Sequence, residues 1–382
     1  MSVLYVNGPV QNGDFTLAER PGKAAGIRAA AALNALLGVR PVPHLWNTVT
    51  LSGDQRHRAA AGPIGRQQRE EQAIAAKYAP GEQPRAGVLT DTAPPVAALA
   101  LETVGRLLAD GTLALAPVEV RLCAGCGHMT GVVAHQACRA CGSEQTRPAK
   151  RRLLVFDRPE GQPVLERDDF LAAGARTPSH LLNIAQNTPA RLVLSRTRDH
   201  GVSLAPLGLD GLVLDPRAGL HVAVLAAAAA HGAQRPAMTV TENAAANVAA
   251  YGLPFRRHGA VRLRYALHGR IPYDTALLQR LYEVHRAAPP VRDLFAAWFL
   301  PLASLRERAG IDAVRLPGLL KFCRRVHLAR PSTPAGDVLA DLRRLVEAGD
   351  MRWVMDARAL AHAIAARQTT RGSAPEPQRG AP

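Results

Sequence analysis

The sequence predicts an α/β protein: a Rossmann-type domain split by a zinc-ribbon insertion and followed by an α-helical bundle. Three observations lead to this prediction. A strand-like run, a turn rich in Asn and Gly, an alanine-rich helix and a second strand open the chain, which is the order of a βαβ unit in a nucleotide-binding sheet. Four of the five cysteines form two Cys-x-x-Cys pairs. Beyond Ala260, apolar residues recur at helical spacing.

The length of 382 residues exceeds one ordinary core, so two or three domains are expected. The expected parts are the first half of the Rossmann-type domain (1–115), the zinc ribbon (116–150), the second half of the domain (151–258), the helical domain (259–368) and a disordered tail (369–382).

The first half of the chain contains expected strands bounded by turn residues and expected helices with apolar periodicity. Its expected strands are Ser2–Val6 and Val42–Leu51, and its expected helices are Lys23–Leu37, Arg69–Tyr78 and Val96–Ala109. Between the insertion and the helical domain, we expect strands at Leu153–Phe156, Arg191–Ser195, Leu220–Leu225 and Met238–Thr241, and a helix at Phe170–Gln186. The helical domain is expected to contain Ala260–Leu267, Thr275–Ala287, Val291–Ala309, Leu316–Ala329, Ala335–Ala348 and Ala357–Ala366.

The two cysteine pairs are Cys123 with Cys126 and Cys138 with Cys141. Each Cys-x-x-Cys forms a tight turn that aims two thiolates at one point, and two such turns supply the four soft ligands of a structural Zn²⁺ site. Two disulfides would require an oxidising compartment, and a redox pair would need only one Cys-x-x-Cys. We therefore predict a closed, structural zinc site. His128 and His135 lie in the same segment, but four cysteines already complete the ligand set.

The composition is strongly basic: 47 Lys and Arg against 31 Asp and Glu give a net charge of +16. Such a charge suits a polyanion such as RNA, but arginine spread over solvated faces explains it equally well. No apolar run reaches the length of a membrane span, so no membrane partner is expected. The chain opens on a strand-like segment instead of a targeting peptide, and together with the free thiols this predicts a cytoplasmic protein.

Several segments, in order, resemble class I aminoacyl-tRNA synthetases of the methionyl branch. YVNGPVQNGDF at 5–15 is similar to the opening Y-x-N-G-x-x-H-x-G-H segment of that family. LLADGTLA precedes the zinc insertion and RRLLVFDRPEG follows it, as in the family. LVLSRTRDHGVSL at 192–204 resembles an I-S-R-x-x-x-x-G segment, and GAVRLRYALHGR at 259–270 resembles the helix that leads into the anticodon-binding bundle. The resemblance covers nearly the whole chain and implies the fold stated above.

The departures from the family fall on its catalytic motifs. The ATP-binding H-x-G-H becomes Gln11-Asn12-Gly13-Asp14, in which Gly13 is the remnant of the cofactor-binding motif and Asp14 would repel a polyphosphate. The lysine-rich K-M-S-K-S loop should fall at 240–252, where no lysine occurs. The acidic residue expected after the second strand is absent from 46–50. ATP-dependent aminoacylation is therefore expected to be lost, and no catalytic residue is assigned.

Three functions remain open. The first is a repurposed synthetase-like protein, in a bacterial specialised-metabolite pathway, that binds or condenses an amino acid or a molecule derived from one. The second is a non-catalytic pseudoenzyme that binds a partner protein. The third is a divergent methionine–tRNA ligase; the short helical domain and the lack of an evident RNA-binding stripe argue against tRNA as a partner.

Other residues are given structural interpretations. Ser195, Asp199 and His200 are expected in a solvated turn and not in a catalytic triad. Asp168 and Asp169 are expected to cap a helix that begins at Phe170. A further group is expected in the core, namely Trp46, Trp298 and Cys323, while Arg324, Arg325 and Arg330 could contact RNA or lie on a solvated face.

Overall fold

A computed structural model describes residues 3–9, 20–46, 87–130, 138, 141–171, 181, 187–197, 201–271 and 274–372, with side chains to residue 368. Several predictions lie outside these residues: the motif remnant Gly13, the helix Arg69–Tyr78, nearly all of the helix Phe170–Gln186, and the last residues of the tail.

The described residues contain short strands in several small sheets and one long pair. The strands are β1 Val3–Asn7, β2 His44–Trp46, β3 Val88–Thr90, β4 Leu113–Cys123, β5 Thr146–Asp157, β6 Arg191–Val193, β7 Ser195–Thr197, β8 Leu212–Leu214, β9 Arg235–Thr241, β10 Arg257–His258, β11 Val261–Arg262 and β12 Arg264–His268.

In the described residues, four α-helices precede β12 in the sequence and six follow it. They are α1 Ala25–Leu37, α2 Pro94–Ala109, α3 Pro216–Ala230, α4 Glu242–Gly252, α5 Thr275–Val284, α6 Pro289–Leu294, α7 Leu300–Arg306, α8 Leu316–Leu328, α9 Gly336–Ala348 and α10 Ala357–Gly372. In the described part of the chain, no helix has the length and apolar character needed to cross a membrane.

The central sheet has the strand order β1-β9-β12, and both pairings are parallel. A second parallel pair, β2-β3, lies beside it. The Asn7 side chain joins the two: its Nδ2 donates to the Leu45 carbonyl at 2.8 Å, and its Oδ1 accepts from the Leu45 N–H at 2.8 Å. One amide side chain thus replaces a rung of backbone hydrogen bonds between β1 and β2.

The two faces of the central sheet pack into two apolar cores. Leu4, Val6 and Tyr265 face the core that contains α2, α3 and α4. Val3 and Tyr5 face the core built from α1 and the C-terminal helices α5–α10. The alternation follows from the period of two along a strand. The C-terminal helices therefore share a core with the sheet, while the domain boundaries remain a prediction.

Two predicted elements are wrong. The expected strand Leu220–Leu225 lies inside helix α3, because the apolar run continues through alanines and Asp215 caps the helix by accepting from the Arg217 N–H at 2.9 Å. The expected helix Ala260–Leu267 is strands β11 and β12. Apolar and polar residues alternate from Val261 to Tyr265, which favours a strand.

The expected single helix Val291–Ala309 contains a π turn. Helices α6 and α7 are joined by Phe295–Phe299 in π-helical geometry, and the Leu300 N–H donates to the Phe295 carbonyl five residues earlier. Pro301 follows directly and has no N–H for an ordinary helical bond. The extra residue in the turn keeps the proline ring clear of the preceding turn.

Candidate functional site

The four cysteines lie at one end of the long β4–β5 ribbon. The two strands pair antiparallel from Leu113 with Phe156 to Cys123 with Thr146. The Leu113 end is buried in the core below α2, α3 and α4. The two Cys-x-x-Cys turns therefore lie at the opposite end of the ribbon, away from that core.

Each cysteine pair is closed by a glycine with positive φ. Gly127 and Gly142 follow the second cysteine of each pair, with φ of 73° and 75°. The Gly127 N–H donates to the Cys123 carbonyl at 3.0 Å, and the Gly142 N–H donates to the Cys138 carbonyl at 2.7 Å. Left-handed backbone favours glycine, so both turns need the residue that the sequence supplies.

The four thiols converge on one point. Their Sγ atoms all lie within 4.8 Å of one another, with Cys123–Cys141 at 3.4 Å and Cys126–Cys138 at 3.6 Å. These separations are far longer than a disulfide bond of about 2.05 Å. They approach the edge of about 3.8 Å expected for four sulfurs about 2.3 Å from a tetrahedral ion. The arrangement can hold a metal ion.

The two thiols of the first Cys-x-x-Cys turn have opposite pKa shifts. Burial acts against ionisation of Cys123, but hydrogen bonds from the Cys126 amide, the Cys141 thiol and the Gly125 amide outweigh it and lower the pKa of Cys123 to about 6. Burial raises the pKa of Cys126 to about 12. His128 takes part through its backbone: its carbonyl accepts from the Cys123 N–H at 2.8 Å. Among the described residues, the candidate ligand group contains the four cysteines and no histidine; His135 lies outside those residues.

A second candidate site is the carboxyl edge of the central sheet, where α/β proteins commonly bind ligands. The edge begins at Gly8, the residue directly after β1. The Gly8 N–H donates to the Thr239 carbonyl at 2.7 Å. A Cβ at Gly8 would lie 2.4 Å from the same oxygen, so β1 and β9 approach as closely as only glycine allows. The segment Gln11–Asp14 follows and lies outside the described residues.

Helix α4 stands where the resemblance implies a lysine-rich loop. Strand β9 ends at Thr241 and α4 begins at the next residue, Glu242. Eleven residues, ENAAANVAAYG, form this helix and none is a cation. Residues 240–252 thus form the end of a strand and a helix packed on the core. This element offers no positive charge to a polyphosphate.

Cations from two other elements gather at this edge. Arg20 and Lys23 precede α1, and Arg270 follows β12. Partial burial lowers the pKa of Lys23, and the positive charges of Arg270 and Arg20 lower it further. The Arg270 guanidinium is held by the Asn243 side-chain oxygen at 3.0 and 3.1 Å, with the amide oriented to accept. The charges of these three cations act on one another, so this edge carries positive potential.

A close contact between α1 and the sheet lies beside these cations. The Thr239 hydroxyl donates to the Gly26 carbonyl at 3.0 Å. A Cβ at Gly26 would lie 3.0 Å from His268 Nε2. Burial lowers the pKa of His268 to about 4, so the imidazole is neutral at physiological pH. The contact between α1 and the sheet beside these cations is therefore formed by buried, neutral polar groups.

The residues that carry the family resemblance have structural partners. Tyr5 donates its hydroxyl to the Val346 carbonyl at 2.6 Å, which ties β1 to α9. Arg196 Nε lies 2.7 Å from the buried Asp215 carboxylate. Although burial acts against it, Arg217 and Arg196 hold the pKa of Asp215 well below its usual range. These motif residues stabilise the scaffold.

Two expectations for polar residues need correction. Ser195 is buried in β7, and its Oγ accepts from the Leu154 N–H at 2.9 Å, so it is a structural residue and not part of a solvated turn. Asp169 caps no helix at Phe170; its buried carboxylate binds Arg256 and Arg262, each at 2.6 Å. Burial of Trp46, Trp298 and Cys323 is confirmed.

Sequence reasoning missed Arg20, Lys23 and Arg270 because no short motif connects them. They are 250 positions apart at the extremes and meet only through the parallel pairing of β12 with β9 and the packing of α1. The available signal was the alternation of apolar and polar residues at 261–265, because a strand there places Arg270 at the carboxyl edge.

Comparisons with known proteins found similarity at the level of three-dimensional structure. No protein-family model and no curated protein matches the chain. The chain is similar to Mycobacterium tuberculosis methionyl-tRNA synthetase in complex with methionyl-adenylate, with 14% identity, 97% of this chain and 84% of that chain covered, and a TM-score of 0.49. It is also similar to the apo form of that synthetase, with 14% identity, coverage of 98% and 82%, and a TM-score of 0.46.

Proposed function

We propose that this protein is a methionyl-tRNA synthetase-like protein that has lost ordinary methionine activation and binds, or condenses, an amino-acid-derived molecule at the carboxyl edge of its sheet. The proposal includes a Rossmann-type domain split by a zinc ribbon. The observation that carries it is the direct passage from β9 into the lysine-free helix α4. Adenylate formation requires cations against the leaving pyrophosphate.

The energetic cost of the missing groups is large. Each lost charged contact to a transferring phosphate group costs about 2–4 kcal/mol at the transition state. Since about 1.4 kcal/mol is a factor of ten in rate, the loss of two such contacts alone lowers adenylation by about three to six orders of magnitude. In contrast, the motif residues Tyr5, Asn7 and Arg196 keep buried partners. A scaffold that keeps these contacts without the activating groups fits a repurposed site.

The cations at the carboxyl edge suggest the ligand. Arg20, Lys23 and Arg270 suit one carboxylate or phosphate, and the buried groups beside them carry no charge that would compete for it. An amino acid, including an N-hydroxylated one, has the required anionic group. A divergent methionine–tRNA ligase is the weaker alternative, because it needs the missing loop.

The four cysteines are proposed to bind Zn²⁺ in a structural role. All four positions of a tetrahedral ion are filled by sulfur, so no position is open to substrate. A thiolate site of this kind favours a reducing compartment such as the cytoplasm.

Calorimetric binding of amino acids tests the proposal. Standard and N-hydroxylated amino acids are titrated into the full chain and into a Lys23→Ala, Arg270→Ala variant. An Arg257→Ala, Arg358→Ala variant is the matched control, since both arginines are exposed and lie on other elements. We expect at least one amino acid to bind and the edge variant to bind it at least about tenfold more weakly. No binding by any of them would contradict the proposal and favour a non-catalytic subunit.

A further inference from the structure

The C-terminal helices contain a cavity that the carboxyl-edge site does not use. Its volume is about 640 Å³, within the range of ligand-binding sites. It lies between the end of α5 and one face of α8, and we call it the basic groove. The residues that define it are His285, Ala287, Lys321, Arg324, Arg325 and Leu328.

Positive charge covers one side of the basic groove. Lys321, Arg324 and Arg325 are three and four residues apart on α8, so their side chains share one helix face. Arg324 Nη1 donates to the His285 carbonyl at 3.5 Å, which holds that guanidinium across the groove. Among the described residues that line the cavity, none is a carboxylate. The groove is therefore complementary to an acidic group.

Apolar surface completes the same groove. Leu320, Ala329 and Ala287 line it together with the cations. Leu328, one turn beyond Arg324, is 70% exposed, and Val284, next to His285, is 77% exposed. Only three large apolar side chains in the described residues are this exposed, and two of them belong to this region. Exposed apolar side chains beside a cavity are typical of a docking surface.

Backbone strain coincides with the basic groove. Arg286 has φ of 46°, the only positive φ outside glycine in the described residues. It closes α5 with two hydrogen bonds, from the Arg286 N–H to the Glu283 carbonyl at 3.1 Å and from the Ala287 N–H to the Tyr282 carbonyl at 2.9 Å. Glycine is the preferred residue at this helix-ending position. The strained, exposed arginine lies in the sequence between two residues that line the groove, so its positive charge is close to the groove entrance.

The combination of positive charges and apolar side chains in the groove indicates whether its acidic partner is RNA or protein. Single-stranded RNA is bound mainly by stacking bases on exposed aromatic rings. No Phe, Tyr or Trp is among the described residues that line the cavity, and the His285 imidazole is the one ring among them. Phe322, on the same helix, is covered by the Arg325 guanidinium, 5.6 Å from the ring centre. An amphipathic protein helix instead presents carboxylates and leucines together. Charge complementarity and the exposed leucine thus favour a protein segment.

We propose that the basic groove binds an acidic amphipathic helix of a partner protein. Carboxylates of the partner pair with Lys321, Arg324 and Arg325, and its apolar face covers Leu328. The inference does not depend on a ligand at the carboxyl edge, since the basic groove lies on the C-terminal helices.

Fluorescence anisotropy with a labelled peptide tests this inference. The probe is an amphipathic helical peptide whose polar face is glutamate and whose apolar face is leucine; the same peptide with lysine for glutamate is the charge control. We expect saturable, salt-sensitive binding of the acidic peptide alone. A Lys321→Glu, Arg324→Glu variant should weaken it at least about tenfold, while an Arg257→Glu, Arg358→Glu variant of equal net charge should bind normally.

Arg286→Gly separates docking from folding. Because glycine adopts a positive φ without strain, the substitution should raise the melting temperature. It should also weaken binding of the acidic peptide by about twofold to fivefold, because it removes a positive charge close to the groove. Equal weakening by both double variants, no saturable binding of the acidic peptide, or binding of a single-stranded RNA oligonucleotide that the groove variant abolishes would each overturn the inference.

Discussion

Mild acid should destabilise this protein because three histidines are buried in the neutral form. Burial lowers the pKa of His44 and His268 to about 4 and that of His221 to about 3. The His221 ring has no place for a second proton: its Nδ1 donates to the Arg217 carbonyl at 2.7 Å, and its Nε2 accepts from the Tyr265 hydroxyl at 2.8 Å. Since a carbonyl can only accept, the tautomer follows from these partners.

The sign and size of the effect follow from linkage. A buried histidine of this kind has a pKa of about 6.5 in the unfolded state and a lower pKa in the folded state, so above about pH 6.5 it does not oppose folding. As the pH falls from about 6.5 toward the folded pKa, the unfolded state takes up the proton first, and the free energy of unfolding decreases. At about pH 5 each histidine lowers the free energy of unfolding by about 2 kcal/mol, and the three together lower it by about 6 kcal/mol. A typical domain has about 5–15 kcal/mol of stability, so the loss is large.

The carboxylates act at lower pH and do not obscure this window. Arginines hold the pKa of Asp169 and Asp215 below the usual range, although burial acts in the opposite direction. Their contribution to stability is lost only as the pH falls through those low values, below about pH 4. Between about pH 6.5 and pH 5 the buried histidines therefore contribute more to the change in stability than these carboxylates do.

Urea denaturation followed by circular dichroism at about pH 7.5 and about pH 5 measures the effect. We expect His221→Gln to lose about 2 kcal/mol less stability between the two pH values than the unsubstituted protein. His258→Gln, at an exposed position on β10, is the matched control and should behave as the unsubstituted protein does. Equal stability of the unsubstituted protein at both pH values would refute the assignment of neutral, buried histidines.

Two further predictions concern the cysteine site and the joint between the sheets. Cys126→Ser removes one of four converging thiols, so metal analysis of the purified variant should show far less than the one zinc per chain expected of the unsubstituted protein; equal zinc content would argue against the four-thiolate site. Asn7→Ala leaves the buried N–H and carbonyl of Leu45 without the partners seen at 2.8 Å, and should lower the free energy of unfolding by about 2–5 kcal/mol in urea titrations. A change below about 0.5 kcal/mol would show that β2 does not depend on this side chain.

The sequence was sufficient for features whose information is local. The cysteine spacing predicted four converging thiols, and the glycines that close the turns are visible in the sequence as well. Helix α1 was predicted at Lys23–Leu37 and is observed at Ala25–Leu37, because an alanine-rich run ends at Gly38 in the left-handed conformation. Likewise, Leu316–Ala329 was predicted and α8 spans Leu316–Leu328.

Features that depend on distant contacts could not be predicted in this way. The roles of Asn7 and Asn34 are hidden for this reason: Asn34 in α1 donates to the Tyr5 carbonyl at 2.7 Å and accepts from its N–H at 2.9 Å. A polar side chain that satisfies a strand edge leaves no pattern in the sequence. The error at 220–225 is of another kind, because the Asp215-Pro216 start and the alanines that follow are local signals of a helix.

The central claim is that the scaffold persists while methionine activation is lost. Methionine-dependent exchange of pyrophosphate into ATP, measured on the full, zinc-loaded chain, tests it most directly. Because β9 passes straight into the lysine-free helix α4, we expect no methionine-dependent exchange above the background without amino acid. Exchange that depends on methionine and saturates with it would contradict the account and identify the protein as a working methionine-activating enzyme.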